Sequence, residues 1–180
     1  NVLSLFFLRE YLGERGEIGR MKSKKNTLVS RAAVGCVTTA IFLLLCIIKG
    51  IYPFGTATLD TVDFQSQWIP AYYHVWDVLH GDGSAFFDWR VGGGNNFAGV
   101  SAQFALLSPF NLFFLFVKRS WIEKSMIVFI IIKLLAMGYS MRWFLKEQVL
   151  GEERYGIYIL AGSVGYAVNG YTLLYYGMGW

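Results

Sequence analysis

The stretch "AAVGCVTTAIFLLLCII", residues 32 to 48, carries no charge and is closed by Lys49 and Gly50. With its flanking turn it reaches the roughly 17–20 residues needed to cross a hydrocarbon core. Lys49 can extend its ammonium towards water at the far end. The run is too long for a signal-peptide core, and no small-x-small cleavage site follows it. The sequence therefore predicts an uncleaved transmembrane helix over 32–50. Seven cations precede or open it: Arg9, Arg15, Arg20, Lys22, Lys24, Lys25 and Arg31. Positive residues stay on the cytoplasmic side, so 1–31 is expected to be a basic cytoplasmic tail. Met21 begins "MKSKKN", as a natural start would. Residues 1–20 are either an upstream extension or part of a genuine tail.

Composition supports the same class. The chain has 180 residues, 55% hydrophobic and 16% charged, with a mean hydropathy of +0.44. Soluble domains carry about 25% charged residues. The net charge of +4 does not form a basic stripe, which argues against nucleic acid as a partner. Cys36 and Cys46 lie in the first apolar run, roughly 15 Å apart on a helix. That is too far for a disulfide within the helix, so both read as small packing residues.

Beyond the first span the pattern changes. Residues 51–121 are expected to form a long extracytoplasmic loop with amphipathic helices. In "WIPAYYHVWDVLHGDGS" (68–84), Tyr72, Val75, Trp76 and Leu79 share one helical face, with Pro70 near the start and Gly81 at the stop. The face is expected to lie on the outer membrane surface. "FALLSPFNLFFLFV" (104–117) is apolar but short and broken by Pro109, which favours an interfacial or re-entrant segment. If it spans instead, every later side assignment inverts. Residues 122–145 are expected to form a second span, 146–154 a cytoplasmic turn, and 155–180 a third span whose Gly162, Gly165 and Gly170 suit close packing. Lys118, Arg119 and Lys124 fall on the side read as external, so the orientation rests mainly on the N-terminal cluster. The fold class expected is an all-α integral membrane protein, a polytopic helical bundle. The chain reads as the front of a longer protein, inactive alone.

The residues that carry chemistry centre on "TLDTVDFQSQWIP" (58–70). Asp60 and Asp63 lie just past the first span. A carboxylate there stays ionised beside low-dielectric walls. It can serve as a general base towards an acceptor hydroxyl, and the pair can hold a divalent cation. The alternative is local: aspartate caps helices and forms turns. Arg90 either grips a phosphate bidentately or is a solvated surface arginine. The loop "GGGNN" (92–96) exposes N–H groups that suit anions, yet no Gly-Lys-Ser/Thr follows to make a P-loop. Lys133 lies mid-span, where charge costs about 2.5–3.5 kcal/mol; it is expected to pair in the bundle or face a cavity. His74 and His80 are six apart, which does not suit a zinc site on one helix.

Six segments occur in an order that resembles the YfhO family of bacterial membrane proteins: "YPFG" (52–55), "TVDFQSQWIPAYY" (61–73), "VGGGNNFAG" (91–99), "LLSPFNLFFLF" (106–116), "IIIKLLAMGYSM" (130–141) and "GYAVNGYTLLYYGMGW" (165–180). The resemblance covers about Ile51 to Trp180. It implies likeness to GT-C glycosyltransferases, so that this chain would be a GT-C-like N-terminal part. Those enzymes take a sugar from a polyprenyl-phosphate carrier on the outer leaflet. It further implies Asp63 as the catalytic or metal-linked acid, with Gln67, Trp68 and Pro70 in register, Asn95 at the glycine-asparagine turn and Lys133 as the lysine of the second span. Asp60 has no firm counterpart. The implied partners are membrane lipid, a polyprenyl-phosphate-linked sugar and a cell-wall polymer acceptor such as lipoteichoic acid. The implied location is the bacterial cell membrane, multi-pass, with a cytoplasmic N-terminus. The rival reading is a non-enzymatic lipid-carrier transporter or assembly scaffold.

Overall fold

The computed structural model describes residues 31–57, 59, 64–101, 108–150 and 156–173. They are mostly helical and fall into two compact units, one from the described residues of 40–134 and 168–173, the other from those of 31–39 and 135–167. Helix α1, Arg31–Ile48, has a mean hydropathy of 2.2 over its 18 residues. Among the described residues it is the one helix long and apolar enough to cross a membrane. It buries Phe42 and Cys46 and leaves Leu44, Ile47 and Ile48 exposed. Gly50 ends it at φ +63. There its N–H bonds Ile47 O and the Ile51 N–H bonds Cys46 O, a Schellman cap that a β-carbon would strain.

In the first unit a π-helical turn, Phe64–Trp68, leads into α2, Ile69–Leu79. Pro70 opens α2 because a first-turn residue needs no amide hydrogen. Gly81 closes it with a second Schellman pair, Gly81 N–H to Val78 O and Asp82 N–H to Asp77 O. Strands β1 (Phe87–Asp88) and β2 (Asn95–Asn96) pair antiparallel across the glycine loop, and the five-residue α3 (Phe97–Ser101) follows. A 3-10 helix, Pro109–Phe116, and a short turn, Arg119–Trp121, precede α4, Ile122–Phe144.

Tyr72 and Val75 of α2 are buried, with Trp76 and Leu79 partly buried against the same core. The face read as membrane-bound therefore packs on protein. Tyr72 meets Phe114 at 5.2 Å and Phe129 at 5.3 Å, and Phe114 meets Phe129 at 5.0 Å. Each such pair adds about 0.5–1.5 kcal/mol beyond area burial. The indole N–H of Trp76 reaches Val117 O at 2.7 Å, pinning the end of the 3-10 segment. That segment is one of eight residues, and no crossing helix is present over 109–116.

In the second unit small residues set the packing. A β-carbon on Gly35 would meet the Tyr139 hydroxyl at 2.5 Å, and one on Gly138 would meet Val34 at 3.3 Å. Among the described residues, Gly162 lies against Leu145, and nothing stands close to Gly165 or to Gly170, the latter in the first unit. α4 has spanning length but carries Glu123, Lys124, Lys133 and Arg142. A π-helical turn, Leu145–Leu150, follows it. Within the third expected span, α5 runs Gly156–Ala167, and α6, in the first unit, runs Gly170–Leu173. Asn169 caps α6, its Oδ1 accepting the Thr172 N–H at 3.0 Å.

Phe114 is fully buried and touches three aromatic rings. Phe114→Ala is expected to destabilise the protein by about 3–5 kcal/mol, read as a lowered melting temperature of the full-length protein in detergent. A melt indistinguishable from wild type would show that the aromatic cluster does not hold this unit.

Candidate functional site

The site is a groove along the polar side of α2. Pro70, Tyr73, His74 and Asp77 follow the i, i+3, i+4, i+7 spacing that puts them on one face, opposite the core-facing stripe. Gln65 and Gln67 enter from the π-helical turn, Arg90, Val91 and Gly92 from the glycine hairpin, Arg119 from the turn before α4, and Glu123 from the first turn of α4. Together they enclose about 730 Å³, within the ~300–1,000 Å³ range of small-molecule sites.

Asp77 organises the groove. Its side chain is 9% exposed, and it accepts from Arg119 through Nε at 2.8 Å and Nη2 at 3.3 Å. Arg90 approaches the same carboxylate with Nη1 at 3.4 Å. Both guanidiniums remain about half exposed, at 54% and 53%. Arg90 is itself clamped on Asp88, with Nε to Oδ1 at 3.0 Å and Nη2 to Oδ2 at 2.7 Å, and donates to Asp82 O at 2.8 Å. These bonds tie the hairpin to the end of α2. The fork of Arg90 lies on Asp88, a carboxylate of the chain itself, while the side chain keeps half of its surface open.

His74 is buried. Its Nε2 lies 3.0 Å from Ser84 O, and because a carbonyl oxygen only accepts, Nε2 carries the proton. Its ring packs on Phe97 at 4.0 Å, and Nδ1 is 3.9 Å from Asp88. His80 faces elsewhere, stacked on Trp76 at 3.8 Å. Tyr73 donates to Glu123 Oε1 at 3.5 Å and lies 5.0 Å below Arg119 Cζ. Burial pushes the Tyr73 phenol up, and the Glu123 charge adds to the shift. The hydrogen bonds that Arg90 donates to Asp88 and Arg119 donates to Asp77 raise both guanidiniums above their ordinary values.

Of the residues singled out from sequence, Gln67, Pro70, His74 and Arg90 line the groove. Asn95 stands in β2, where its Oδ1 accepts the Asn96 N–H at 2.8 Å. Lys133 sits on α4 with Nζ 4.5 Å from the centroid of the Phe129 ring. Asp60 and Asp63 lie outside the described residues. Among the described residues, no group of three or more His, Cys, Asp or Glu could hold a metal. Sequence reasoning missed Tyr73, Asp77, Arg119 and Glu123. The signal was present for Asp77, four residues after Tyr73 on the face opposite the apolar stripe. Arg119 was read only as a topology charge, and its ion pair with Asp77 now accounts for it.

A smaller pocket of about 330 Å³ adjoins the groove and shares Gln65, Ile69 and Glu123 with it. Its other walls include Ile51, Leu59 and Ile127, with Lys124 among them. The Lys124 ammonium lies 5.3 Å from the Trp121 ring and 5.7 Å from that of Tyr52.

Hydrogen bonds from the Arg90 side chain, then its backbone N–H, hold the Asp88 carboxyl far below the usual carboxylate range. A depressed value stabilises the fold above the unfolded pKa of ~3.9, and the contribution is lost only as pH falls towards the folded value. Amide hydrogen exchange over 87–96, corrected for intrinsic rates, is therefore expected to show equal protection at neutral pH and at pH just above that unfolded value. Asp88→Asn is expected to lose the protection at both. Loss of wild-type protection already at mildly acidic pH would contradict the clamp.

The family model described as "Bacterial membrane protein YfhO" matches residues 35–180. No curated protein matches the chain, and no solved structure does. A match over most of the chain, on a helical fold with an apolar spanning-length α1, is sufficient: this protein belongs to the YfhO family of bacterial membrane proteins.

Proposed function

We propose that the protein is a GT-C-like membrane glycosyltransferase component. It moves a sugar from a polyprenyl-phosphate carrier to an extracytoplasmic cell-wall polymer such as lipoteichoic acid. The chain crosses the membrane several times with its N-terminus in the cytoplasm, and residues 51–121 face outward. The observation that carries this reading is the adjacency of a groove lined by Asp77, Arg90, Arg119 and Glu123 and a smaller pocket that sets Ile51, Leu59 and Ile127 beside Lys124, with a shared wall, in a family of bacterial membrane proteins. A ligand with a polar head and a hydrocarbon tail fits that pairing, and a lipid-borne sugar is such a ligand.

In this reading Asp63 is the general base, with Asp60 beside it. The acceptor hydroxyl gives its proton to the Asp63 carboxylate. Its oxygen bonds to the anomeric carbon, and the bond from that carbon to the phosphate oxygen breaks. Polyprenyl phosphate leaves with the electron pair, and the sugar inverts. Lys133 acts as a cationic group towards the lipid phosphate. Gln67 contributes from the rim of the groove. General-base assistance is worth ~10²–10⁴-fold in rate, so Asp63→Asn in the full-length protein is expected to cut wall-polymer glycosylation at least a hundredfold at equal expression. Unchanged sugar content would favour a transporter or scaffold instead.

Topology has a separate test. Single cysteines at Ser66 and Gly151, in a chain with Cys36 and Cys46 replaced by alanine, are expected to differ towards a membrane-impermeant maleimide on intact cells. Ser66→Cys should label and Gly151→Cys should not. The reverse pattern would invert the orientation and remove Asp63 from the outer face.

A further inference from the structure

We infer that the 3-10 helix Pro109–Phe116 is a wedge set into one leaflet of the bilayer, with its outward face of Leu112, Leu115 and Phe116 covered by the acyl chains of membrane lipids. The inference does not depend on the sugar-transfer reading, and it holds for either orientation of the chain. It takes from the family only that a bilayer is present. The first argument is which side chains the segment turns outward. "PFNLFFLF" has one polar side chain, that of Asn111. Asn111 is 4% exposed, whereas Leu112, Leu115 and Phe116 are 56%, 43% and 88% exposed. A period of three residues puts Leu112 and Leu115 on one line of the helix and Asn111 and Phe114 on another, and the second line is the buried one. A segment facing water would turn its amide out and its phenyl ring in. Soluble surfaces carry large apolar residues singly; here three fall within five residues.

The second argument is the backbone. Hydrocarbon accepts a segment only where the peptide groups already have partners. Pro109 has no amide hydrogen to satisfy. The Asn111 N–H donates to Ser108 O at 3.0 Å and the Val117 N–H to Phe114 O at 3.4 Å, while Val117 O accepts the Trp76 indole N–H. The third argument is place. Phe114 packs on Phe129, which lies in the charge-free run 126–132 of α4. The spanning-length α1 exposes Leu44 and Ile48 in the same compact unit. The fourth argument selects lipid over a protein partner. No charged residue stands between Arg90 and Lys118, so the apolar face meets charge at its C-terminal end alone. There Lys118 and Trp121 are exposed, and the Lys124 ammonium lies 5.3 Å from the Trp121 ring. Lysine and tryptophan mark the boundary between hydrocarbon and water. One such step fits a single leaflet, whereas a protein interface is ringed by a polar rim.

The test uses the full-length protein in nanodiscs of phosphatidylethanolamine and phosphatidylglycerol. Nitroxide labels are placed on single cysteines in a chain with Cys36 and Cys46 replaced by alanine. At Leu112→Cys, Leu115→Cys and Phe116→Cys, collisions with oxygen, which partitions into hydrocarbon, are expected to outnumber those with a water-soluble nickel chelate. At Asp82→Cys, exposed just past α2, the ratio is expected to reverse. Wild-type protein gives a second reading without substitution. In nanodiscs doped with a phospholipid carrying a diazirine in its acyl chain, photolysis is expected to label the 109–117 peptide well above the 81–90 peptide. Preference for the chelate at all three positions would place the face in water. Exclusion of both reagents, with no lipid adduct on 109–117, would place a second copy or another protein on it. Either result would overturn the assignment, and neither bears on the outcome for Asp63→Asn.

Discussion

A single carboxylate, that of Asp77, fixes the arrangement of the unit that holds α2. It sits on the polar side of α2, is nearly sealed from solvent, and takes hydrogen bonds from guanidiniums on two other segments. Arg90 brings the glycine hairpin to the end of α2, and Arg119 brings the approach to α4. A buried charge without partners would be costly, so three segments distant in sequence are obliged to meet there. The groove is what remains between them. Its walls are shared between the aromatic core on one side of α2 and this charge cluster on the other.

Much of the coarse organisation was legible in the residues. The charge-free run after Arg31 became α1, and the Pro70-to-Gly81 punctuation bounded α2 within a residue or two. The same is true of the helix after Trp121. These are local signals: hydrophobic period, a proline where no amide hydrogen is required, a glycine where φ turns positive. What was not legible depended on partners far along the chain. The Tyr72 and Trp76 face was read as lipid-facing because an aromatic stripe looks the same against lipid or protein. Only Phe114 and Phe129, some forty and more residues on, decide the matter. Likewise Arg119 next to Lys118 looks like a topology signal until Asp77 is placed beside it. The contacts of Arg90 with Asp77 and Asp82, across the end of α2, likewise depend on residues that the sequence does not place beside it.

The unit containing Gly35, Gly138 and Gly162 follows a different logic. There the close approaches use the absence of side chains, in keeping with helices that pack where hydrophobic burial supplies little drive. Sequence alone marked the glycines of the final apolar segment because they were numerous. Proximity selects only one of them and adds two others, each decided by what stands opposite: a tyrosine hydroxyl for Gly35, a valine methyl for Gly138.

The Asp88–Arg90 clamp has an architectural corollary. It lies on the β1 side of the hairpin, between Asp88 at the end of β1 and Arg90 two residues on, while the positive-φ glycines 92 to 94 lie beyond. Lengthening a loop adds closure entropy only slowly, about 0.6 kcal/mol per doubling. Insertions or reshaping beyond Gly92 would therefore vary the turn while the charged contacts of Arg90 with Asp88, Asp77 and Asp82 stay in place.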